Sequence, residues 1–395
     1  MVKGERRRDI DLLKGLACAM MLVGHGFRIK LPELSHAGKV FLYIMDFSGP
    51  IFFLASGMNV ITFLERNSHK TNFKMVQFYL LSAASLFFLG FAYNLNRFSL
   101  GFPDIFQCVA LCTAIVFILL YLRIPSFWLI ILALMASAVY WRWRMEITPG
   151  DEAFTSMGLI DRGLFCHFSL LPWVSFFLVG AVIYRVGTGM WEFVLGILFA
   201  AMFVGSFTMQ PVFFEDHFQL MFRGVPYYVI QTTGGSGLLF LLARRFYHSP
   251  GKIPILSQII QRFEYVGKES LLFLVSHWFI LTIIHNLDRT MDPFLRAGLL
   301  LVFTFLALPF IAKARDFISN RPHYIAMMLS LLIFFFMITL VPLSAENRLV
   351  AHLLSYGASF SFAFVYPSLR SRIREFSTIK APLRKVELSP TKATA

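Results

Sequence analysis

The sequence is short of charge, and of acidic charge most of all. Only 15% of its 395 residues are charged, and Asp and Glu number 22 against 36 Lys and Arg. An ordinary soluble domain carries about a quarter charged residues. Cysteine is scarce too: Cys18, Cys108, Cys112 and Cys166 are the four. Cys108 and Cys112 lie four apart on one helix face with no histidine pair at metal spacing, which argues for small apolar packing and against a zinc site. There is no His-Glu-x-x-His, no Gly-x-Ser-x-Gly and no Walker lysine. These absences speak against zincin, α/β-hydrolase and P-loop chemistry. No internal repeat and no separate soluble domain stands out.

What the chain has is hydrocarbon. Hydrophobic residues make up 57% of it, 46 of them Phe, and the mean hydropathy is +0.67. Apolar runs long enough to cross a bilayer fall near 9–29, 39–64, 74–94, 105–122, 125–141, 167–187, 190–208, 225–246, 267–287, 293–312, 323–342 and 348–367. The expected fold is all-α, a polytopic transmembrane bundle of about 10–12 spans. With the N-terminus inside, about 24 of the Lys and Arg fall in inner segments and about 11 in outer ones, so the positive-inside rule places both termini in the cytoplasm. The net charge of +14 then sets topology, and no nucleic-acid partner is expected. Charges inside the first apolar run, the lack of a small-residue cleavage site and the later spans argue for a retained span over a signal peptide. Residues 1–368 form the expected membrane domain. Residues 369–395 form a basic tail, expected to be disordered and suited to lying on anionic lipid.

The stretch "RRRDIDLLKGLACAMMLVGH" (Arg6–His25) puts ionisable groups where they are costly and tend to mark function. On a helix, Lys14 and His25 are eleven residues apart and share a face, roughly 16 Å apart along the axis. Asp11, Gly15, Cys18 and Leu22 lie on or near that face. Asp11 and Lys14, three apart, can pair. A bland reading has this pair and the histidine snorkelling to the two interfaces. A functional reading has the imidazole taking a proton from an acceptor near neutral pH while the deeper cation holds an anionic donor.

"DIDLLKGLACAMMLVGH" resembles the first helix of the transmembrane acyltransferases, namely the acyltransferase-3 family and the related heparan-alpha-glucosaminide N-acetyltransferase family. Lys14-Gly15 and His25 match the basic-Gly and later histidine. The family's usual basic residue there is arginine; Lys14 keeps the charge and lacks the bidentate fork. "GPIFFLASGMNVITFLER" resembles the family's Phe-Phe-x-x-Ser-Gly stretch at Phe52, Phe53, Ser56 and Gly57. The basic loop that often follows is supplied by Arg66, Lys70 and Lys74. "VGKESLLFLVSHWFIL" is similar to a late helix that ends its motif in histidine, with Gly267, Ser270 and His277. "FFLVGAVIYR" (Phe176–Arg185) is a weaker echo.

The resemblance implies an integral-membrane O- or N-acyltransferase, and the basic-inside pattern fits a plasma or bacterial inner membrane. Its donor would be acyl-CoA, with acetyl-CoA the expected one, and its acceptor a glycan or lipid-linked envelope molecule; no metal is implied. Asp11, Lys14, Ser56, Arg66, Lys70 and Lys74 would hold the donor. His25 would be general base or transient acyl carrier, with His277 and Asp46 positioning groups. From the residues alone, Asp46 orients His25 or simply meets water, and His277 is a site group or a packed histidine bonded to a carbonyl. "TTGGSG" (Thr232–Gly237) reads as close helix packing, with a phosphate loop or broken helix the alternative. Asn59 faces the bundle. Arg162, His167, Asp216 and His217 sit in outer loops, where an ordinary solvated role competes with acceptor binding. Two other functions fit the composition: a secondary transporter, and a non-catalytic relative that keeps the bundle.

Overall fold

The computed structural model describes residues 7–28, 35–67, 72–94, 105–146, 170–186, 190–209, 226–248, 254–288, 290–319, 323–339 and 348–377. Among them all regular structure is helical: α1 (Arg8–Arg28), α2 (His36–Met45), α3 (Ser48–Arg66), α4 (Asn72–Asn94), α5 (Ile105–Tyr121), α6 (Ser126–Glu146), α7 (Leu170–Val186), α8 (Met190–Met209), α9 (Pro226–His248), α10 (Pro254–Lys268), α11 (Ser270–Leu287), α12 (Pro293–Ser319), α13 (Tyr324–Thr339) and α14 (Arg348–Ser377). The all-α expectation holds, and each expected span carries a helix. Among the described residues, five stretches are long and apolar enough to cross a membrane: Arg8–Phe27, Gly38–Arg66, Met190–Thr208, Ser270–Leu287 and Pro293–Ser319.

Three boundaries differ from the hydropathy reading. The second expected span is jointed by a turn at Asp46–Phe47. The segment read as an inner loop before residue 267 is the helix α10. Its apolar positions Leu256, Ile259, Ile260, Phe263 and Val266 recur at helical spacing among polar residues, so it is amphipathic and too polar on average to register as a span. In consequence Gly267 and Ser270, which the sequence reading put on one helix, lie on two, separated at Glu269. The last helix runs on to Ser377, past the domain boundary expected at residue 368; residues 378–395 lie outside the described residues.

α1 is the centre of the bundle. It packs against α2, α3, α9, α10, α11 and α12. Asp9 and Asp11 occupy its first turn, where carboxylates favour the partial positive charge of a helix N-terminus. Glycine lets two of the contacts close to backbone distance. A Cβ on Gly15 would lie 1.8 Å from the Phe263 carbonyl oxygen of α10, and one on Gly267 would lie 1.8 Å from the Asp11 carbonyl oxygen of α1. α3 and α7 repeat the arrangement. A Cβ on Gly57 would lie 2.0 Å from the Phe177 oxygen, and one on Gly180 2.0 Å from the Leu54 oxygen. In hydrocarbon, helices associate through such close packing and not through burial from water. Arg8 of α1 and Glu264 of α10 add an ion pair at 2.8 Å.

The glycine cluster of α9 does not break its helix. A Cβ at Gly234 would lie 2.6 Å from the Phe203 nitrogen, one at Gly237 2.5 Å from the Phe199 ring, and one at Gly235 2.6 Å from the Phe47 ring. This bears out the close-packing reading. On its other side α8 turns Met190, Trp191, Phe193 and Ile197 outward, the surface expected of a helix that meets lipid.

Candidate functional site

Two features lie toward opposite ends of α1. At its far end the His25 ring stacks on the His277 ring of α11, with centroids 5.5 Å apart and planes 17° apart. Trp278 closes on the same imidazole at 4.7 Å. His277 is fully buried, and its Nδ1 lies 3.2 Å from the Phe273 carbonyl oxygen. A carbonyl only accepts, so in this hydrogen bond Nδ1 carries the proton. The Tyr356 hydroxyl of α14 donates to the Trp278 carbonyl at 3.1 Å and also bonds the Thr282 hydroxyl. The last helix thus braces the turn of α11 that carries the histidine. Asp46, buried at the α2–α3 joint, sits beside this end of α1: its Oδ1 is 3.9 Å from where a Gly24 Cβ would be.

At the near end is a cavity of about 850 Å³, the size class of cofactor sites. Arg7, Asp11 and Lys14 of the α1 segment line it. So do Phe52, Ser56, Asn59 and Arg66 of α3, Ser270 and Leu274 of α11, Arg315 of α12, and Arg370 and Arg374 of α14. Cations outnumber acids on its walls. Arg7 is held by Asp9 at 2.9 and 2.5 Å, and that hydrogen bond raises the pKa of its guanidinium against the opposing effect of burial. Arg315 bridges Glu269 at 2.5 Å and Asp316 at 2.9 Å. Lys14 lies over the Phe52 ring, 5.7 Å from its centroid. The Ser56 hydroxyl donates to the Phe52 carbonyl at 2.8 Å, and its lone pairs remain available to a ligand's donor.

The structure thus brings Asp11, Lys14, Ser56 and Arg66 to one cavity, together with Asn59, and brings His25 and His277 into ring contact. It does not bring Lys74 to the cavity wall. Lys70, Cys166, Arg162, His167, Asp216 and His217 lie outside the described residues. Cys18, Cys108 and Cys112 are buried thiols, the last two with their sulfurs 3.8 Å apart. Sequence reasoning missed Trp278, although it adjoins His277. It also missed Arg315, Arg370 and Arg374. Arg370 and Arg374, four apart, carried a one-face helical signal, but their place in the basic, polar stretch after Pro367 assigned them to the tail. Among the described residues no group of three or more His, Cys, Asp or Glu is placed to hold a metal.

A family model described as "Heparan-alpha-glucosaminide N-acetyltransferase, catalytic" matches residues 6–204. The match takes in α1 with Lys14 and His25, and α3 with Ser56 and Gly57; it ends before His277. No curated protein matches the chain significantly.

Proposed function

This chain belongs to the heparan-alpha-glucosaminide N-acetyltransferase family, a family of membrane acetyltransferases, and on that premise we propose that it moves an acetyl group from acetyl-CoA to an acceptor on the other side of the membrane. The observation that carries this reading is the polarity of α1: a cation-lined cavity begins at one end and a stacked histidine pair sits toward the other. A donor with several phosphates and a long thin arm matches that layout. Its phosphates suit Arg7, Lys14, Arg66 and the arginines of α14 on the cytoplasmic side, and its thioester is directed along α1 toward His25.

In the direct route the acceptor's amine or hydroxyl attacks the thioester carbonyl carbon. His25 takes the acceptor's proton, the C–S bond breaks, and the departing thiolate takes the proton back from the imidazolium. In the covalent route an imidazole nitrogen of His25 attacks the thioester carbonyl first, the C–S bond breaks and the thiolate takes the proton of the other ring nitrogen; the acceptor then takes the acetyl group and its proton returns to the ring. His277 and Trp278 hold the His25 ring between them in both routes. The acceptor class that the family suggests is an amino sugar or another glycan hydroxyl or amine, presented in the envelope or outside the cell.

Calorimetry in nanodiscs tests the donor site. Wild type is expected to bind acetyl-CoA, Lys14→Ala and Arg66→Ala each to weaken binding by about 10-fold or more, as loss of a charge-assisted hydrogen bond does, and His25→Ala to keep it. Absence of acyl-CoA binding by folded wild type, with intact solute crossing the membrane instead, would replace this reading with a transporter.

A further inference from the structure

The cavity stops short of the histidines on three helices. Along α1 its last wall residue toward His25 is Lys14; along α3 it is Phe52; along α11 it is Leu274. His277 lies three residues beyond Leu274, about one helical turn. Neither His25 nor His277 lines the cavity. Phe52 occupies the junction. It packs against the cluster holding Cys18, Leu22 and Phe273 and against the one holding Leu274 and Phe106, yet it stays partly exposed to the cavity. Its neighbour Phe53 behaves differently: it is fully buried and packed on Trp173 at 4.7 Å. Of this aromatic pair, one fastens α3 to α7 and the other faces the void.

The ring of Phe52 is also tethered electrostatically. The Lys14 ammonium sits over its face, a contact that gains strength when desolvated. Lys14 is in addition a cation on the cavity wall, so an incoming phosphate competes with the phenyl face for it. A charge-assisted hydrogen bond to phosphate is the stronger of the two partners.

We propose that Phe52 is a positioning and specificity-determining residue: it closes the donor cavity against the histidine pair, Lys14 latches it in place, and its limited swing sets the longest acyl chain admitted. Acceptance of an anionic donor by Lys14 releases the ring enough to pass an acetyl group, whereas a longer chain would have to occupy the volume that the ring and Leu274 fill. This inference rests on the donor reading above for its acyl-chain half only; the closure itself is a property of the empty protein.

Two measurements separate those halves. The first follows alkylation of Cys18 by N-ethylmaleimide, read on the Cys18 peptide by mass spectrometry, in full-length protein in nanodiscs. Cys18 is buried one turn beyond Lys14, so its labelling reports the closure without any donor. Phe52→Ala is expected to speed labelling about tenfold, since reaction at a buried group tracks the population of the open form. Lys14→Gln and wild type with added 3′-phospho-ADP are expected to speed it too. Unchanged Cys18 labelling in folded Phe52→Ala overturns the proposal. If Phe52→Ala does not fold, Phe52→Leu and Lys14→Gln carry the same test with the same criterion.

The second measurement compares acetyl-, butanoyl- and hexanoyl-CoA by calorimetry and by thiol release. Wild type is expected to disfavour hexanoyl-CoA by about 10- to 100-fold, the range that overfilling a closed core costs, and Phe52→Ala to bring the three donors close together. A chain-length profile identical in wild type and Phe52→Ala removes the specificity role even where Cys18 opens. If Cys18 opens and wild type binds no acyl-CoA at all, the closure stands and the donor reading falls.

Discussion

Replacing His25 with alanine is expected to lower acetyl transfer by about 10²- to 10⁴-fold, the contribution of a positioned general base, while acetyl-CoA binding is retained. The argument is geometric. His25 is eleven residues from Lys14, well beyond the wall where the cavity ends, so its loss leaves the cationic walls intact. Its ring contacts His277 and Trp278, at the end of α1 where the acceptor is proposed to enter. The measurement is release of free thiol from acetyl-CoA with glucosamine as the trial acceptor, alongside calorimetric binding of the donor. Full activity in a folded His25→Ala protein removes the imidazole from the chemistry. An acid quench during a single turnover then separates the two routes, since an acetyl group on the His25 peptide appears only in the covalent one. His277→Ala is expected to cost less, about 10- to 10²-fold, because it acts through the placement of His25.

Gly15→Ala and Gly57→Ala are expected to destabilise the protein by several kcal/mol each, although alanine is the better helix former by about 1 kcal/mol. The opposing term is steric. The new methyl groups would sit 1.8 and 2.0 Å from main-chain carbonyl oxygens of α10 and α7. A backbone atom cannot rotate aside as a side chain can, so the two helices must separate. Separation forfeits packing along the whole contact, and overfilling alone costs about 1–3 kcal/mol or more. Against a total stability of about 5–15 kcal/mol, the expected result is a lower unfolding temperature and loss of monodisperse protein. Gly205→Ala is the control. It too lies inside a helix, but a Cβ there meets nothing within 4 Å, so propensity acts alone and stability is expected to hold or rise. Equal behaviour of all three variants would show that close backbone approach is not what these glycines provide.

These glycines also explain why motif residues resembled a family without displaying their purpose. Gly15, Gly57 and Gly267 stand beside Lys14, Ser56 and Lys268, which line the cavity. Each glycine brings two helices together, and its neighbour lines the cavity. The spacing of Lys14 and His25 could be read from the chain because both lie on one helix, where 3.6 residues per turn decides who shares a face. The contact of His25 with His277 could not, because it depends on how α11 is placed beside α1. The placement of Arg370 and Arg374 was hidden for the same reason: α14 returns to the cavity from the far end of the chain.

Hydropathy and the order of charges, both local properties, determined the helical class, the position of the apolar segments and the one-faced arrangement of α1. Residue chemistry along that face determined which groups were worth watching. Tertiary structure alone decided that α10 crosses α1, that the cations of five separate segments share one cavity, and that Phe52 and not Phe53 stands at its inner wall. Those outcomes depend on backbone-to-backbone fit between helices far apart in sequence. That fit is set by glycines and by the particular side chains opposite them, and no periodicity along a single helix records it.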